Sequence, residues 1–115
     1  MATISAYSVV LWELQPGYPI PGPQTSSNVP TGKVWVVREV LAANLKSGGT
    51  GLGIASLLLQ AGAFPIWQTP VHGTASGIVY ELRDARVVLE ATDFLAVNTD
   101  DPNWYLRVSG YNLSA

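Results

Sequence analysis

The stretch WYLRVSGYNLS, residues 104–114, decides the fold class of this sequence. Its first half alternates large apolar residues with other residues, which is typical of a half-buried β-strand. The large residues of one parity are Trp104, Leu106 and Val108. After the Ser-Gly step the large residues change parity, to Tyr111 and Leu113. This change predicts a β-bulge at Gly110 with a positive φ, beyond which Tyr111 and Leu113 share the face of the earlier large residues.

Strand patterns also fill most of the chain upstream. Residues 33–45, KVWVVREVLAANL, begin apolar on both faces, which predicts a central strand that is covered on both sides. Further strands are predicted over residues 3–14, 54–62, 78–84, 85–91 and 93–99, with a short one around Ile66 and Trp67. No segment combines a helical period with capping residues. These patterns predict an all-β protein: a single antiparallel β-sandwich, jelly-roll-like, with seven to eight strands over residues 1–115.

The alternation within these strands also predicts which side chains face the core. The inward positions of two consecutive strands are Val87, Leu89, Leu95 and Val97. Three of the four tryptophans, Trp12, Trp35 and Trp104, lie in strand patterns. We therefore expect these three indoles to pack in the core rather than to bind a ligand.

A proline-rich segment separates the first two strand patterns. Residues 15–32, QPGYPIPGPQTSSNVPTG, hold five of the eight prolines and three glycines. Proline lacks the backbone N–H that a sheet needs as a hydrogen-bond donor, and glycine readily adopts a positive φ. This segment is therefore predicted to be an extended loop or arm. Such an arm could lie across a neighbouring subunit, since prolines reduce the entropy lost on ordering.

Candidate interface residues come from this arm and from a later turn-rich segment. They are Tyr18, Pro19, Ile20, Pro21, Pro23, Phe64, Ile66 and Trp67. Trp67, between Pro65 and Pro70, is predicted to be an exposed anchor at a protein interface, with Tyr18 second.

The composition predicts a protein that docks on other subunits. Charged residues make up only 12% of the 115 residues, against about 25% in average globular domains, and 48% are hydrophobic. Such an apolar excess on a small domain indicates an interface and a homo-oligomer, the alternative being a neutral surface rich in Ser, Thr, Asn and Gly. A net charge of −2 does not suit nucleic-acid binding, which relies on a basic surface. The first residues lack the pattern of a signal peptide, and no stretch suits a membrane span.

The sequence carries little that could perform chemistry. There is no cysteine, and the single histidine, His72, has Ser76 nearby only in a loop without a nucleophile elbow. Residues 98–103, NTDDPN, lack the ligand spacing of a calcium loop, and residues 47–53, SGGTGLG, lack the lysine of a phosphate-binding loop. A paired-carboxylate site is conceivable, but the acidic residues suit solvent-facing strand positions and turns better. We therefore predict no catalytic residue, no cofactor, no metal and no small-molecule ligand, and expect a protein that is not an enzyme.

Three segments together resemble a known group of proteins. They are VPTGKVWVVREV (residues 29–40), ARVVLEATDFLAV (residues 85–97) and LRVSGYNLS (residues 106–114). They are similar to the patterns VP-x-G-K, G-R-VVL-x-x-GD-x-L and VSGY-x-L of small virion proteins from tailed bacteriophages that infect actinobacteria. The three segments together make up about a third of the chain. There are two departures: DAR at residues 84–86 stands where a turn glycine precedes the arginine, and ATD at residues 91–93 replaces the glycine-aspartate pair.

This resemblance implies a bacteriophage virion structural protein. It implies first a minor tail protein that contacts other virion proteins, and as an alternative a capsid decoration protein. The expected location is the tail or the capsid surface, after synthesis in the host cytoplasm. A further alternative is a carbohydrate-binding module that touches the host surface through Trp67 and its aromatic neighbours.

Overall fold

The fold is built from antiparallel strands. The structure is a computed structural model that describes residues 8–17, 24–44, 57–69, 79–99 and 103–114, and within these ranges it contains nine strands and no helix. The strands are β1 (Val9–Leu14), β2 (Gln24–Thr25), β3 (Lys33–Asn44), β4 (Leu57–Ala61), β5 (Phe64–Gln68), β6 (Val79–Leu82), β7 (Val87–Leu89), β8 (Leu95–Thr99) and β9 (Trp104–Ser114). The all-β prediction is confirmed, whereas the short strand β2 was not predicted.

The strands form two sheets. The first has the order β1-β9-β3-β6, with β7 also paired to β3, and the second has the order β2-β8-β4-β5. Strand β3 pairs with β9 along its whole length, from Lys33 opposite Ser114 to Asn44 opposite Trp104. Its other edge is shared by β7 and β6. Strand β3 is therefore central, as its apolar start on both faces predicted.

One hydrophobic cluster joins the buried side chains of both sheets. Its largest member is Trp104, which is fully buried, and Trp35 is only 6% exposed. From the second sheet come Leu57, Leu59, Leu95 and Val97. Leu89 is also fully buried, while Trp12 and Val87 are half-buried and pack against the cluster. The inward positions and the core tryptophans predicted from alternation are thus confirmed.

The closing strand runs through Gly110 without an extra residue. Alternate residues from Trp104 to Gly110 are buried, whereas Leu113 is 45% exposed. The register shifts lie instead in the two neighbouring strands, at Arg38 of β3 and Leu11 of β1. The predictions of a bulge in β9 and of core-facing side chains at Tyr111 and Leu113 are therefore wrong. The irregular pairing at the Ser-Gly step arises from bulges in the neighbouring strands β1 and β3.

Gly110 is required for a different reason than the predicted one. Its φ is not positive, unlike that of Gly17, Gly32 and Gly62. A Cβ at position 110 would overlap with the carbonyl oxygen of Val36 and lie 3.0 Å from the amide nitrogen of Arg38. The glycine thus permits the close approach of β9 to β3 beside the bulge at Arg38.

The second half of the predicted arm is built into the second sheet. Residues of β2 pair with β8, and Ser26 and Val29 are buried. The amide of Ser26 donates to the carbonyl of Leu95 at 2.8 Å, and the amide of Val29 donates to the carbonyl of Asp93 at 2.7 Å. Within the loop or arm predicted over residues 15–32, residues 24–25 therefore form a strand, and residues 26–30 form a loop that is packed against the second sheet. Residues 18–23, which include the candidates Tyr18, Pro19, Ile20, Pro21 and Pro23, lie outside the described residues.

Candidate functional site

The surface with the most distinctive features is the outer face of the first sheet, which points away from the core. Cross-strand partners in an antiparallel sheet lie on the same face. Leu41 of β3 is paired on one side with Arg107 of β9 and on the other with Glu81 of β6. Two residues before Leu41, Glu39 is paired with Ser109. Side chains from three strands are therefore brought together on this face, although they are far apart in the sequence.

These side chains line a groove of about 290 Å³. We call it the polar groove and define it by Glu39, Leu41, Glu81, Arg83, Arg107 and Ser109. The four charged residues are exposed, while Leu41 is half-buried between them. The groove thus has an apolar centre and a rim of two carboxylates and two guanidinium groups.

The charged residues on one side of the groove are already paired. The Nε of Arg83 donates to Oε2 of Glu81 at 2.7 Å, and its Nη2 lies 2.6 Å from the same oxygen. This hydrogen bond, together with the negative charges of Glu81 and Glu39, raises the pKa of Arg83. Because both side chains are largely exposed, the pair orients the two groups more than it stabilises the fold.

On the β1 side, Arg107 lies next to a second polar contact. The hydroxyl of Tyr105 donates to Oε2 of Glu13 at 2.5 Å, and Nε2 of Gln15 donates to Oε1 at 2.9 Å. The hydrogen bond from Tyr105, then that from Gln15, lowers the pKa of Glu13. The same bond to the carboxylate raises the pKa of Tyr105. These contacts order the outward side chains of β9 next to the groove.

The other end of the outer face is apolar. Its residues, which we call the apolar end, are Val34, Val36, Val88, Tyr111 and Leu113. Val88 is 57% exposed and Leu113 is 45% exposed. The guanidinium carbon of Arg38 lies 5.7 Å from the centre of the Tyr111 ring, a cation–π contact at the boundary between the two zones. Apolar side chains thus occupy outward positions that a solvated sheet face usually gives to polar residues.

The sequence did not reveal the apolar end as a separate surface. The apolar residues on both faces of β3 suggested that both were covered within the domain. The structure covers the inner face and leaves Val34 and Val36 half-buried on the outer one. The surface becomes apparent only when these valines are known to pair with Val88 and Leu113. That pairing depends on the strand register, which the sequence alone does not give.

The described interface candidates fall into two groups. Phe64, the first residue of β5, is 75% exposed and remains available for a contact. Ile66 and Trp67 are half-buried and pack against the hydrophobic core. Trp67 is therefore half-buried and not fully exposed as predicted, because its strand pairs with β4 and brings Trp67 opposite the fully buried Leu59; its role as an interface anchor stays a prediction.

The structure also bears on the sites considered from the sequence. No group of three or more His, Cys, Asp or Glu side chains that could hold a metal ion occurs among the described residues. His72, Ser76, residues 47–53 and residues 100–102 lie outside them. In the same part of the chain, no helix is long and apolar enough to span a membrane.

These observations define an antiparallel all-β protein whose distinctive surface is one sheet face with a polar groove and an apolar end. No family model matches this sequence, and no curated protein or solved structure is similar enough to count as a match.

Proposed function

We propose that this chain is a bacteriophage virion structural protein, most specifically a minor tail protein that acts through subunit–subunit contacts. The observation that carries the proposal is the apolar end, where Val88 and Leu113 stay about half exposed. Contiguous apolar surface on a weakly charged small domain favours association with other subunits. Partners would be further copies of this chain and other virion proteins.

The strand pairing supports a jelly-roll sandwich as the finer description of the fold. The pairs are nested: β1 with β9, β2 with β8, β3 with β6 and β7, and β4 with β5. Strands β6 and β7 pair with different parts of the same edge of β3, so together they occupy one strand position in the sheet. The nine strands therefore fill eight strand positions in the two sheets. Rolling up such a nested hairpin brings β9 beside β3 and β8 beside β4, which is the order observed. Jelly rolls recur in viral capsid and lectin domains.

The three segments that carry the resemblance support the proposal because they meet in space. In the first segment, the backbone amide of Lys33 donates to the carbonyl of Pro30 at 3.1 Å. Gly32, between them, has a φ of 82°, so these residues form a type II turn that leads into β3. The buried Val29 before this turn accepts a hydrogen bond from the amide of Thr92 at 3.0 Å. The third segment lies against the first, because β9 pairs with β3 throughout.

Thr92, which departs from the glycine of the resembling pattern, also supports the proposal. Thr92 has a φ of 76°, in the left-handed region that favours glycine, and the resembling pattern has glycine at this position. The next residue, Asp93, accepts a hydrogen bond from the amide of Glu90 at 2.9 Å. The glycine-aspartate pattern thus describes a turn geometry that this chain keeps with a different residue.

The experiment that tests the proposal combines solution mass with particle assembly. We expect the purified chain to self-associate in sedimentation velocity, and the double variant Val88→Ser, Leu113→Ser to remain monomeric. Val79→Ser is the matched control, since Val79 is 53% exposed on the same sheet face but outside the apolar end. A wild-type chain that stays monomeric at high concentration, together with unchanged incorporation of the double variant into particles, would overturn the proposal.

Imaging of labelled chain in intact particles separates the tail from the head. Label at the tail supports the minor tail assignment, whereas label over the head supports the capsid decoration alternative. Label in neither place contradicts both. The carbohydrate-binding alternative that relied on Trp67 has less support, because that side chain is half-buried and packs against the core.

A further inference from the structure

We infer that the polar groove is a binding site for a neutral polyhydroxylated ligand, of the size of one or two sugar rings. The inference rests on the arrangement of Glu39, Leu41 and Arg107 and does not depend on the proposed virion role. The groove volume of about 290 Å³ lies near the lower limit of small-molecule sites.

The backbone around the groove is irregular in a way that is typical of functional sites. Residue Arg38 is inserted in β3 immediately before Glu39, and Leu11 is inserted in β1. Both insertions lie next to Ser109 of β9, since Glu39 and Val10 are its partners on the two sides. Bulges re-aim side chains and increase the local twist, and they are over-represented next to active sites. Here the residue that follows the bulge in β3, Glu39, and its partner Ser109 both line the groove.

The charges of the groove select against a charged ligand. Two carboxylates, Glu39 and Glu81, oppose two guanidinium groups, Arg83 and Arg107, so the rim has no net charge. A phosphate group placed on Arg107 would meet the like charge of Glu39 or Glu81, and an amine placed on Glu39 would meet an arginine. Like-charge contacts of this kind suppress the wrong partners. The groove therefore favours a ligand without charge.

The hydrogen-bonding groups of the groove match hydroxyl groups. Glu81 and Arg83 pair with one another through Oε2 of Glu81, and no hydrogen bond to the Glu39 carboxylate is found among the described residues. A carboxylate only accepts, a guanidinium only donates, and a serine hydroxyl does both. Hydroxyl groups of a sugar can donate to Glu39 and accept from Arg107 at the same time. Between them, the half-buried Leu41 offers an apolar surface for the C–H face of the ring.

Titration of the isotope-labelled full chain, followed by amide NMR signals, tests this inference. The probes are the methyl glycosides of glucose, galactose, mannose, arabinose and N-acetylglucosamine, with inorganic phosphate and putrescine as charged counterparts. We expect at least one glycoside to shift the amide signals of Glu39, Leu41 and Arg107 saturably at millimolar concentration, and neither charged probe to do so.

Two exposed substitutions locate the binding. Glu39→Gln removes a charge and keeps the side-chain size, whereas Arg107→Gln removes a charge and shortens the side chain. Each should weaken glycoside binding by about tenfold. Glu90→Gln is the control, since Glu90 is an exposed carboxylate outside the groove. Three results would each overturn the inference. They are the absence of saturable shifts with every glycoside, glycoside binding by both groove variants as tight as that of the wild type, and binding of phosphate that is tighter than that of any glycoside. Because self-association is measured separately, failure here is distinguishable from failure of the virion proposal.

Discussion

Gly110 of β9 lies directly against the main chain of Val36 in β3. A Cβ at position 110 would overlap with the Val36 carbonyl oxygen and lie 2.9 Å from the carbonyl carbon. These atoms belong to the backbone of a central strand, so they cannot move aside without disturbing the longest strand pair of the fold. The close approach of these two residues makes the β3–β9 pairing sensitive to a single methyl group.

Gly110→Ala is therefore expected to lower the free energy of unfolding by about 2 kcal/mol or more, as for an overpacked core. Urea denaturation measures the change. Ser114→Ala, at an exposed position of the same strand, should stay within about 0.5 kcal/mol of the wild type. Equal stability of the two variants would show that β9 can shift away from β3.

Ser26→Ala is expected to loosen the segment that precedes β3. The Ser26 hydroxyl accepts a hydrogen bond from the amide of Leu95 at 2.9 Å and donates to the carbonyl of Ser27 at 2.8 Å. Without it, the buried Leu95 amide loses its acceptor, at a cost of about 1–3 kcal/mol. Hydrogen exchange should show faster exchange of the Leu95 amide, whereas Ser27→Ala, at an exposed position, should not change it.

Thr92→Gly is expected to stabilise the protein. Thr92 is exposed and has a φ of 76°, which is unfavourable for a β-branched residue. Relief of this strain outweighs the added freedom of glycine in the unfolded chain, for a net gain of about 0.5–1 kcal/mol. Thermal unfolding monitors the gain. Thr92→Ala is the control that removes the side chain but keeps the strain, so an equal gain in both variants would contradict the explanation.

Tyr105→Phe is expected to change the titration of Glu13. In the folded protein, hydrogen bonds from Tyr105 and Gln15 lower the pKa of Glu13, so the Tyr105 variant should raise it toward its ordinary value. Carbon NMR of the Glu13 carboxyl measures this shift. Tyr111→Phe, which leaves the Glu13 contacts intact, is the control and should leave the Glu13 signal unaltered.

The same pair predicts how stability depends on pH. Because folding lowers the pKa of Glu13, its contribution is present above the pKa of the unfolded chain and is lost as pH falls through the folded value. Folding raises the pKa of Tyr105, so that contribution is present below the unfolded pKa and is lost as pH rises through the folded value. The stability difference between wild type and Tyr105→Phe should therefore narrow at both extremes of pH. A difference that is constant across the pH range would argue against this linkage.

Trp67 and Phe64 should behave oppositely when truncated, although they lie on the same short strand. Trp67→Ala should lower the free energy of unfolding by about 2–3 kcal/mol, since the indole packs against the core. Phe64→Ala should leave stability within about 0.5 kcal/mol of the wild type, because Phe64 is 75% exposed. Urea midpoints distinguish the two. A neutral Trp67 variant would restore this residue as a candidate surface anchor.

The sequence predicted best where one face of a strand is buried and the alternation is undisturbed. Strands β3, β8 and β9 lie close to their predicted positions, and the inward residues Leu95 and Val97 are fully buried. The signal is local in these cases, because the side-chain period of a strand depends only on its own residues. The two-residue strand β2 escaped prediction, since the prolines and glycines on either side of it indicate a loop and its pairing depends on the distant strand β8.

The candidate site was less predictable for the same reason. Glu39, Glu81 and Arg107 come from three separate strand patterns, and each acidic residue by itself suits a solvated strand face. Only the pairing of Leu41 with both Glu81 and Arg107 places them around one groove. Trp67 illustrates the converse, since its proline neighbours suggested exposure, whereas its pairing opposite Leu59 places it against the core.

By itself, the sequence determined that this protein is all-β and, where the alternation is undisturbed, which residues of a strand form the core. It also marked residues 108–110 as the place where strand pairing becomes irregular. The tertiary structure decided that the bulges lie at Arg38 and Leu11 rather than in β9, and that Gly110 is needed for closeness to Val36 rather than for its φ. It also decided which of the two apolar faces of β3 remains open. The reason is that periodicity is a property of one strand, whereas register, bulges and exposed faces arise from contacts between segments distant in the chain.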